Sequence, residues 1–276
     1  MMAAMKRGHQ SQMFSKAAEV SVDGYVMARL HQWAPRIWTE REELLVLQKR
    51  PGMKFVQDRT QIDVYEDKIN QHALFNQWMP RTYVHLNKKA ALGRAEMLRY
   101  PLISKSSIGS ASLNVRLLKT KDEAIREVEV AFGGGLKITK GIQAGYVYWQ
   151  EFIPHDYTWR VAIVGTKFHV YKRFNYDDRP MAAPSKVKPT QPVEMNVEVE
   201  SLLAWSKKLF ETIGTKWCAI DVLQDPITWQ WLLLETSLAW ARGRDAAGLA
   251  PFYGTKHNLM TQHTLLIEEI EAGVFG

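Results

Sequence analysis

Between Pro101 and Leu118 the chain reads PLISKSSIGSASLNVRLL. An apolar run leads into a lone lysine, Lys105. A loop of mainly small residues runs from Ser106 to Ser112, and a second β-type run follows. Small residues let backbone N–H groups approach an anion closely, and a lysine beside them adds a point charge. The same residues also suit a plain hairpin whose lysine points into water. The G-x-x-x-x-G-K-[ST] order of a Walker loop is absent, so a phosphate bound here would be held by another architecture.

The rest of the chain repeats this strand-and-turn character. Tyr146–Ile153, Trp159–Val164 and Lys167–Phe174 are β-rich, and Gly165-Thr166 between the last two predicts a hairpin. Trp217–Leu223 and Trp229–Leu234 predict a second pair around Asp225-Pro226. Shorter strands are expected at Val22–Met27, Lys54–Gln57 and Arg81–Leu86. Helices are expected at Glu40–Gln48, Tyr65–Trp78, Lys89–Arg99 and His257–Glu271. Another opens at Thr120, whose spacing to Glu123 is a capping box, and runs to Phe132. Apolar residues recur at helical spacing from Leu202 to Ile213, with Gly214 placed as a C-terminal cap. Residues 1–20 read as a mobile start and Asp177–Pro192, rich in proline, as a long loop. Antiparallel hairpins flanked by helices make this a mixed α/β chain of the α+β kind, without a uniform βαβ rhythm.

Composition removes several classes. The 276 residues suffice for one large domain or two small ones. No apolar run reaches the length of a membrane span, and the basic N-terminus lacks the apolar segment of a secretory signal, so a cytoplasmic protein is expected. A single cysteine, Cys218, rules out an internal disulfide framework and reads as a core residue. No zinc-ligand spacing or catalytic histidine set is visible, and His155 reads as a loop histidine in solvent. The net charge of +7 is concentrated early: residues 1–100 carry 16 Lys and Arg against 10 Asp and Glu, and the rest 20 against 19. A basic first third allows a nucleic-acid partner or an acidic substrate; a solvated basic surface reads the same way.

Two further features carry chemistry. Asp221 ends the apolar run Cys218-Ala219-Ile220, and Glu235, 14 residues later, ends Trp231-Leu232-Leu233-Leu234. In an antiparallel pair these carboxylates come close together and repel unless a cation lies between them. Magnesium prefers such hard oxygen ligands and keeps phosphate oxygens in its shell. Two surface acids on a hairpin are the alternative. The other feature is Lys68, at the head of an expected helix in YEDKINQHALFNQWMPRTYV.

From about Lys68 to Ala241 these pieces, in this order, resemble the ATP-grasp superfamily, in a short phage-type form. YEDKINQHALFNQWMPRTYV is similar to its segment opening with Asp-Lys and closing in P-x-T, and PLISKSSIGSAS to its strand, lysine and glycine loop. WQEFI is similar to its adenine hinge, and IDVL and LLETS to its metal-binding strands. The resemblance implies two α+β subdomains gripping ATP between antiparallel sheets. It divides the chain into a reduced N-terminal region (1–64), an N-subdomain (65–145) and a C-subdomain (146–276). Lys68 and Lys105 would then contact phosphate, under a lid contributed by Ser107, Gly109, Ser110, Ala111 and Ser112. Gln150, Glu151, Phe152 and Ile153 would surround the base. Arg160 and Arg173 would hold phosphates or an acylphosphate, with Lys105, as the catalytic set.

Asp221 and Glu235 would bind Mg²⁺, or Mn²⁺ in its place. Ser237 stands where the family usually has a third metal ligand, Asn. Thr158 stands where it usually has a ribose-binding acid, and Asp156 lies two positions earlier. The implied activity is a carboxylate–amine ligase with ATP, passing through an acylphosphate and releasing ADP and phosphate. A phosphotransferase and a non-catalytic ATP-binding module are the alternatives. Its partners would be a small carboxylate and a small amine, in the host cytoplasm if the chain is phage-encoded.

Overall fold

The computed structural model describes residues 9–10, 12, 16–20, 23–28, 30, 36–109, 114–138, 141–175, 193–238, 252–253 and 262–275. Ser110, Ala111 and Ser112, the expected loop Asp177–Pro192, much of 1–20 and the start of the last expected helix lie outside them.

Two antiparallel sheets organise the chain. The first has four strands, β3 (Thr82–His85), β4 (Leu102–Lys105), β5 (Val115–Leu118) and β8 (Val147–Glu151), in the order β3-β8-β4-β5. The second has five: β9 (Tyr157–Val164), β10 (Lys167–Phe174), β11 (Trp217–Gln224), β12 (Trp231–Ser237) and β13 (Phe252–Tyr253), in the order β12-β11-β9-β10-β13. The expected β9–β10 hairpin forms with Val164 paired to Lys167, and Gly165 takes φ +61° in its turn. A parallel pair, β1 (Gly24–Val26) with β2 (Met53–Phe55), and a small hairpin, β6 (Leu136–Ile138) with β7 (Gly141–Gln143), complete the strands described. Because β8 bonds to both β3 and β4, it belongs to the first sheet, and the chain passes on to the second after Glu151.

Helices cover the sheets with their apolar faces. In α4 (Lys88–Met97) and α5 (Lys121–Phe132), Ala91, Ala95, Ala124, Val128 and Ala131 pack on Leu102, Leu118, Val147 and Trp149 of the first sheet. Thr120 caps α5 as expected, but Glu123 returns its bond to the Lys119 amide, one residue before the cap. In α6 (Val197–Ile213), Val199, Leu202, Leu209 and Phe210 meet Trp159, Ile220, Val222 and Leu233 of the second sheet. Gly214 ends it in the left-handed conformation, its N–H bonded to Phe210 and Glu211. The opposite face takes Leu265 and Leu266 of α7 (Gln262–Glu271). A third core joins α1 (Arg36–Gln48), through Ile37, Leu44 and Leu47, to Val26, Ile62, Tyr65 and Leu238. Among the described residues no helix is long and apolar enough to cross a membrane.

The expected helix Tyr65–Trp78 is two elements that start only at Lys68. A six-residue helix, α2 (Arg59–Val64), precedes it, capped by the Asp58 carboxylate on the Gln61 amide. Glu66 then stands in the left-handed region at φ +52°, which interrupts helical winding. Asp67 caps the next helix, α3 (Lys68–Phe75), by accepting from the Asn70 amide, and a 3₁₀ turn covers Asn76–Trp78. Likewise Trp229, expected in a strand, lies in the β11–β12 turn at φ +60°, and β12 starts at Trp231.

Candidate functional site

Helix α3 brings Lys68 to the second sheet through one buried side chain. The Gln71 amide donates to the Thr236 carbonyl at 3.1 Å and accepts from the Thr236 N–H at 3.0 Å. That docks the helix on β12, one residue from Glu235. The Lys68 ammonium then lies 3.3 Å from Glu235 Oε1 and donates to the Gly109 carbonyl at 2.9 Å. Its backbone N–H donates to Ser107 O, and the Ser107 hydroxyl donates to Asp67. The small-residue loop is thus tied at its base to the head of α3. Gly109, at φ +125°, is packed so closely that an added Cβ would stand 2.7 Å from the Asn114 side chain. Burial pushes the Lys68 ammonium down, but Glu235 and Glu66 more than offset it, so its pKa rises above the ordinary lysine value.

Lys105, at the end of β4, is held differently. Its ammonium donates to Gln150 Oε1 at 2.6 Å, and Gln150 Nε2 donates to Thr82 Oγ1 at 2.9 Å. Burial, only partly offset by the charge of Glu235, brings its pKa down to about 8. The Gln150 side chain therefore faces a lysine and a threonine, where the hinge resemblance had it beside a base. The β8 ladder pairs Gln150 on both sides, and the Glu151 N–H donates to Arg81 O.

Antiparallel pairing sets Asp221 directly opposite Glu235, as expected. One residue, Leu234, is bulged out between the Asp221–Glu235 and Val222–Leu233 pairs. The bulge turns Glu235 away from the core face that Trp231 and Leu233 occupy. Each acid has a cation, but not a shared one. Asp221 is bound by Arg160, at 2.5 and 2.9 Å, and by Arg173 at 2.7 Å. Burial would raise its pKa; the two guanidinium groups outweigh that and hold it below the usual carboxylate value. Arg160 and Arg173, expected on phosphate, are engaged here with Asp221.

A cleft of about 810 Å³, open to solvent, joins the two sheets. Lys68, Lys105, Gly109, Asp221 and Glu235 line it, together with Gln150, Glu151, Phe152, Ile153 and Thr158. The buried Thr158 hydroxyl makes no hydrogen bond among the described residues. The exposed Asp156 does not line the cleft, nor do Arg160, Arg173, Ser107 or Ser237. His155, expected in solvent, does line it; its Nδ1–H donates to the Ile153 carbonyl at 2.7 Å and burial lowers its pKa. Cys218 is fully buried, its thiol pushed up to about 12 by burial, as a core residue should be.

Sequence reasoning missed several neighbours. Apolar walls come from Pro80, Ile103, Val115, Leu223 and Leu234; the P-x-T segment was the available signal for Pro80. Glu66 is 3 % exposed beside Lys68 and Glu235, with one carboxylate oxygen unbonded. Burial first, then Glu235, raises its pKa to about 7, against Lys68, Arg160 and a Gly109 backbone hydrogen bond. Nothing in local sequence marks it beyond its place in Glu-Asp-Lys.

No protein-family model and no curated protein matches the sequence. The fold does match solved structures. The RimK domain ATP-grasp protein of Sphaerobacter thermophilus superposes with a TM-score of 0.59 at 16% identity, over 98% of this chain and 93% of that one. D-alanyl-alanine synthetase A of Vibrio cholerae gives 0.60 at 13%, over 88% and 74%. The biotin carboxylase domain of Hydrogenobacter thermophilus 2-oxoglutarate carboxylase, in complex with MgADP, ADP and bicarbonate, gives 0.54 at 16%, over 75% and 47%. Two antiparallel sheets that close on one lysine- and carboxylate-lined cleft, superposable on these three, give this chain the ATP-grasp fold.

Proposed function

We propose that the chain is an ATP-dependent carboxylate–amine ligase that activates its carboxylate as an acylphosphate. The observation that carries this reading is the convergence of Lys68, Lys105, Asp221 and Glu235 on one cleft. Phosphoryl transfer needs positioned charge more than covalent help, and this cleft supplies charge of both signs. Lys68 and Lys105 would neutralise phosphate oxygens. Phe152, Ile153 and the apolar wall would take the base, and Thr158, with its unsatisfied hydroxyl, a ribose oxygen.

The acids suit Mg²⁺ in kind, since all are hard oxygen donors. Glu235 is the freer, meeting one ammonium at 3.3 Å; Asp221 would share its oxygens with the arginines that keep it ionised. Glu235 and Asp221 would hold the ion, and Ser237 is a weaker candidate because it stands off the cleft. Bound there, Mg²⁺ would offset the charge of the β- and γ-phosphates. The carboxylate of one substrate would attack the γ-phosphorus, ADP would leave, and the amine would then displace phosphate. The neighbour solved with MgADP and bicarbonate and the D-alanyl-alanine synthetase support this reading.

The test is ADP and phosphate release from Mg-ATP against pools of amino acids, polyamines, short peptides and DNA, with mass spectrometry of products. Acceptor-dependent ADP and a product one water lighter than its parts are expected. A stable phosphoryl product would instead make it a phosphotransferase. One observation favours a second reading, an ATP-binding module without turnover: Asp221 is already neutralised by two arginines. ATP bound with no turnover in any pool would establish it.

A further inference from the structure

Lys105 makes no ion pair among the described residues; a neutral amide receives it. Thr82 and Pro80 fix that amide. The Thr82 hydroxyl donates to the Pro80 carbonyl at 2.7 Å. With its proton committed there, Thr82 Oγ1 can only accept, and Gln150 Nε2 fills that role at 2.9 Å. The other end of the amide, Oε1, must then face Lys105, whose ammonium can only donate. Four groups on three strands and a turn form a chain with one possible direction: Lys105 to Gln150 to Thr82 to Pro80. Thr82 and Gln150 are register partners across β3 and β8, and Ile103 of β4 pairs with Gln150 on its other side. Gln150 is 1 % exposed and Lys105 8 %, so little water can stand in for a lost member.

We infer that Thr82 is a positioning residue for Lys105: acting through Gln150, it holds the ammonium at the cleft wall where a polyphosphate would meet it. The inference rests on the phosphate reading of the cleft. A glutamine suits this post because it orients the ammonium without neutralising it. Without the Thr82 hydroxyl the amide loses the acceptor that anchors its Nε2, so Oε1 and the ammonium it holds can shift together along the cleft wall. A glutamate at 150 would keep the size but pair with Lys105, so that a phosphate would have to compete for it.

The test is calorimetric binding of MgADP and of adenosine to the full chain, with thermal melts alongside. Thr82→Val should weaken MgADP about tenfold or somewhat less, the loss of one charge-linked hydrogen bond. It should leave adenosine binding unchanged. Thr82→Ser, which keeps the hydroxyl, should bind MgADP within about twofold of the parent. In a Lys105→Met background Thr82→Val should have no further effect, since the two changes act through one chain. Thr82→Val binding MgADP like the parent while Lys105→Met does not would overturn the positioning role and leave the phosphate site standing. Equal losses for MgADP and adenosine, unrescued by serine, would reduce Thr82 to a structural residue. Lys105→Met binding MgADP like the parent would overturn the phosphate reading and this inference with it.

Discussion

Two lysines reach the same cleft from the two sides of the loop at its rim, and they are held in opposite ways. Lys68 sits against Glu235 and near Glu66, with a backbone carbonyl as its third neighbour. Lys105 sits against a neutral amide. Burial disfavours both charges; only Lys68 has carboxylates that reverse the effect. The fold therefore depends on the Lys68 charge, whereas the Lys105 charge is costly to the empty protein and most useful when an anion arrives. In sequence the two look alike, each a lone lysine at the end of an element.

Replacing each lysine should separate these roles most strongly. Lys68→Met leaves the buried Glu66 and the half-buried Glu235 without their cation and should lower the unfolding free energy by about 3 kcal/mol in urea denaturation. Lys105→Met removes an uncompensated buried charge and should change stability by less than about 1 kcal/mol, or raise it, while weakening MgADP binding more than Thr82→Val does. Equal destabilisation by the two would break the comparison. Asp221→Asn tests the same rule with the signs exchanged. It strands Arg160 and Arg173 and should also cost about 3 kcal/mol. Glu235→Gln should cost less, because Glu66 still faces Lys68.

A pH series sharpens the contrast further. Lys105 has its pKa lowered to about 8, so its charge is lost as pH rises through that value, while Lys68 stays charged. MgADP affinity should then fall above about pH 8, by up to about tenfold per unit, with no counterpart in Lys105→Met. Gln150→Glu should move the onset to higher pH. The groups facing Lys105 are Glu235, Lys68, Asp221 and His155. The smallest effect is expected at Glu66. Its folded pKa of about 7 lies above the unfolded value, so the folded state holds the extra proton and stability declines as pH rises from about 4.5 to about 7. Glu66→Gln should remove that decline, raising the melting temperature by several degrees at pH 8 and barely at pH 4.5.

Local signals carried much of the fold. Alternation and the Gly165-Thr166 turn revealed the β9–β10 hairpin, and Gly214 and Thr120 marked helix ends because caps act over three or four residues. The opposition of Asp221 and Glu235 was legible because a short turn dictates pairing. What escaped depended on contacts distant in sequence or on single-residue departures from regularity. Arg59–Val64 is too short to show a helical period, and Glu66 breaks the helix with a conformation its side chain does not announce. The Leu234 bulge, the diversion of Arg160 and Arg173 to Asp221, and the turning inward of Gln150 arise only when the strands assemble.

Gln71 has a consequence beyond the placing of Lys68. Among the described residues the strand it grips, β12, is the outermost of its sheet. One N–H of the primary amide goes to the Val64 carbonyl; the other N–H and the carbonyl oxygen are the same donor and acceptor pair that a peptide unit offers. At Thr236 it therefore stands in for the strand that is not there, occupying both groups through which a second polypeptide could pair. The residue that sets the spacing of the cleft thus also guards a sheet edge against self-association.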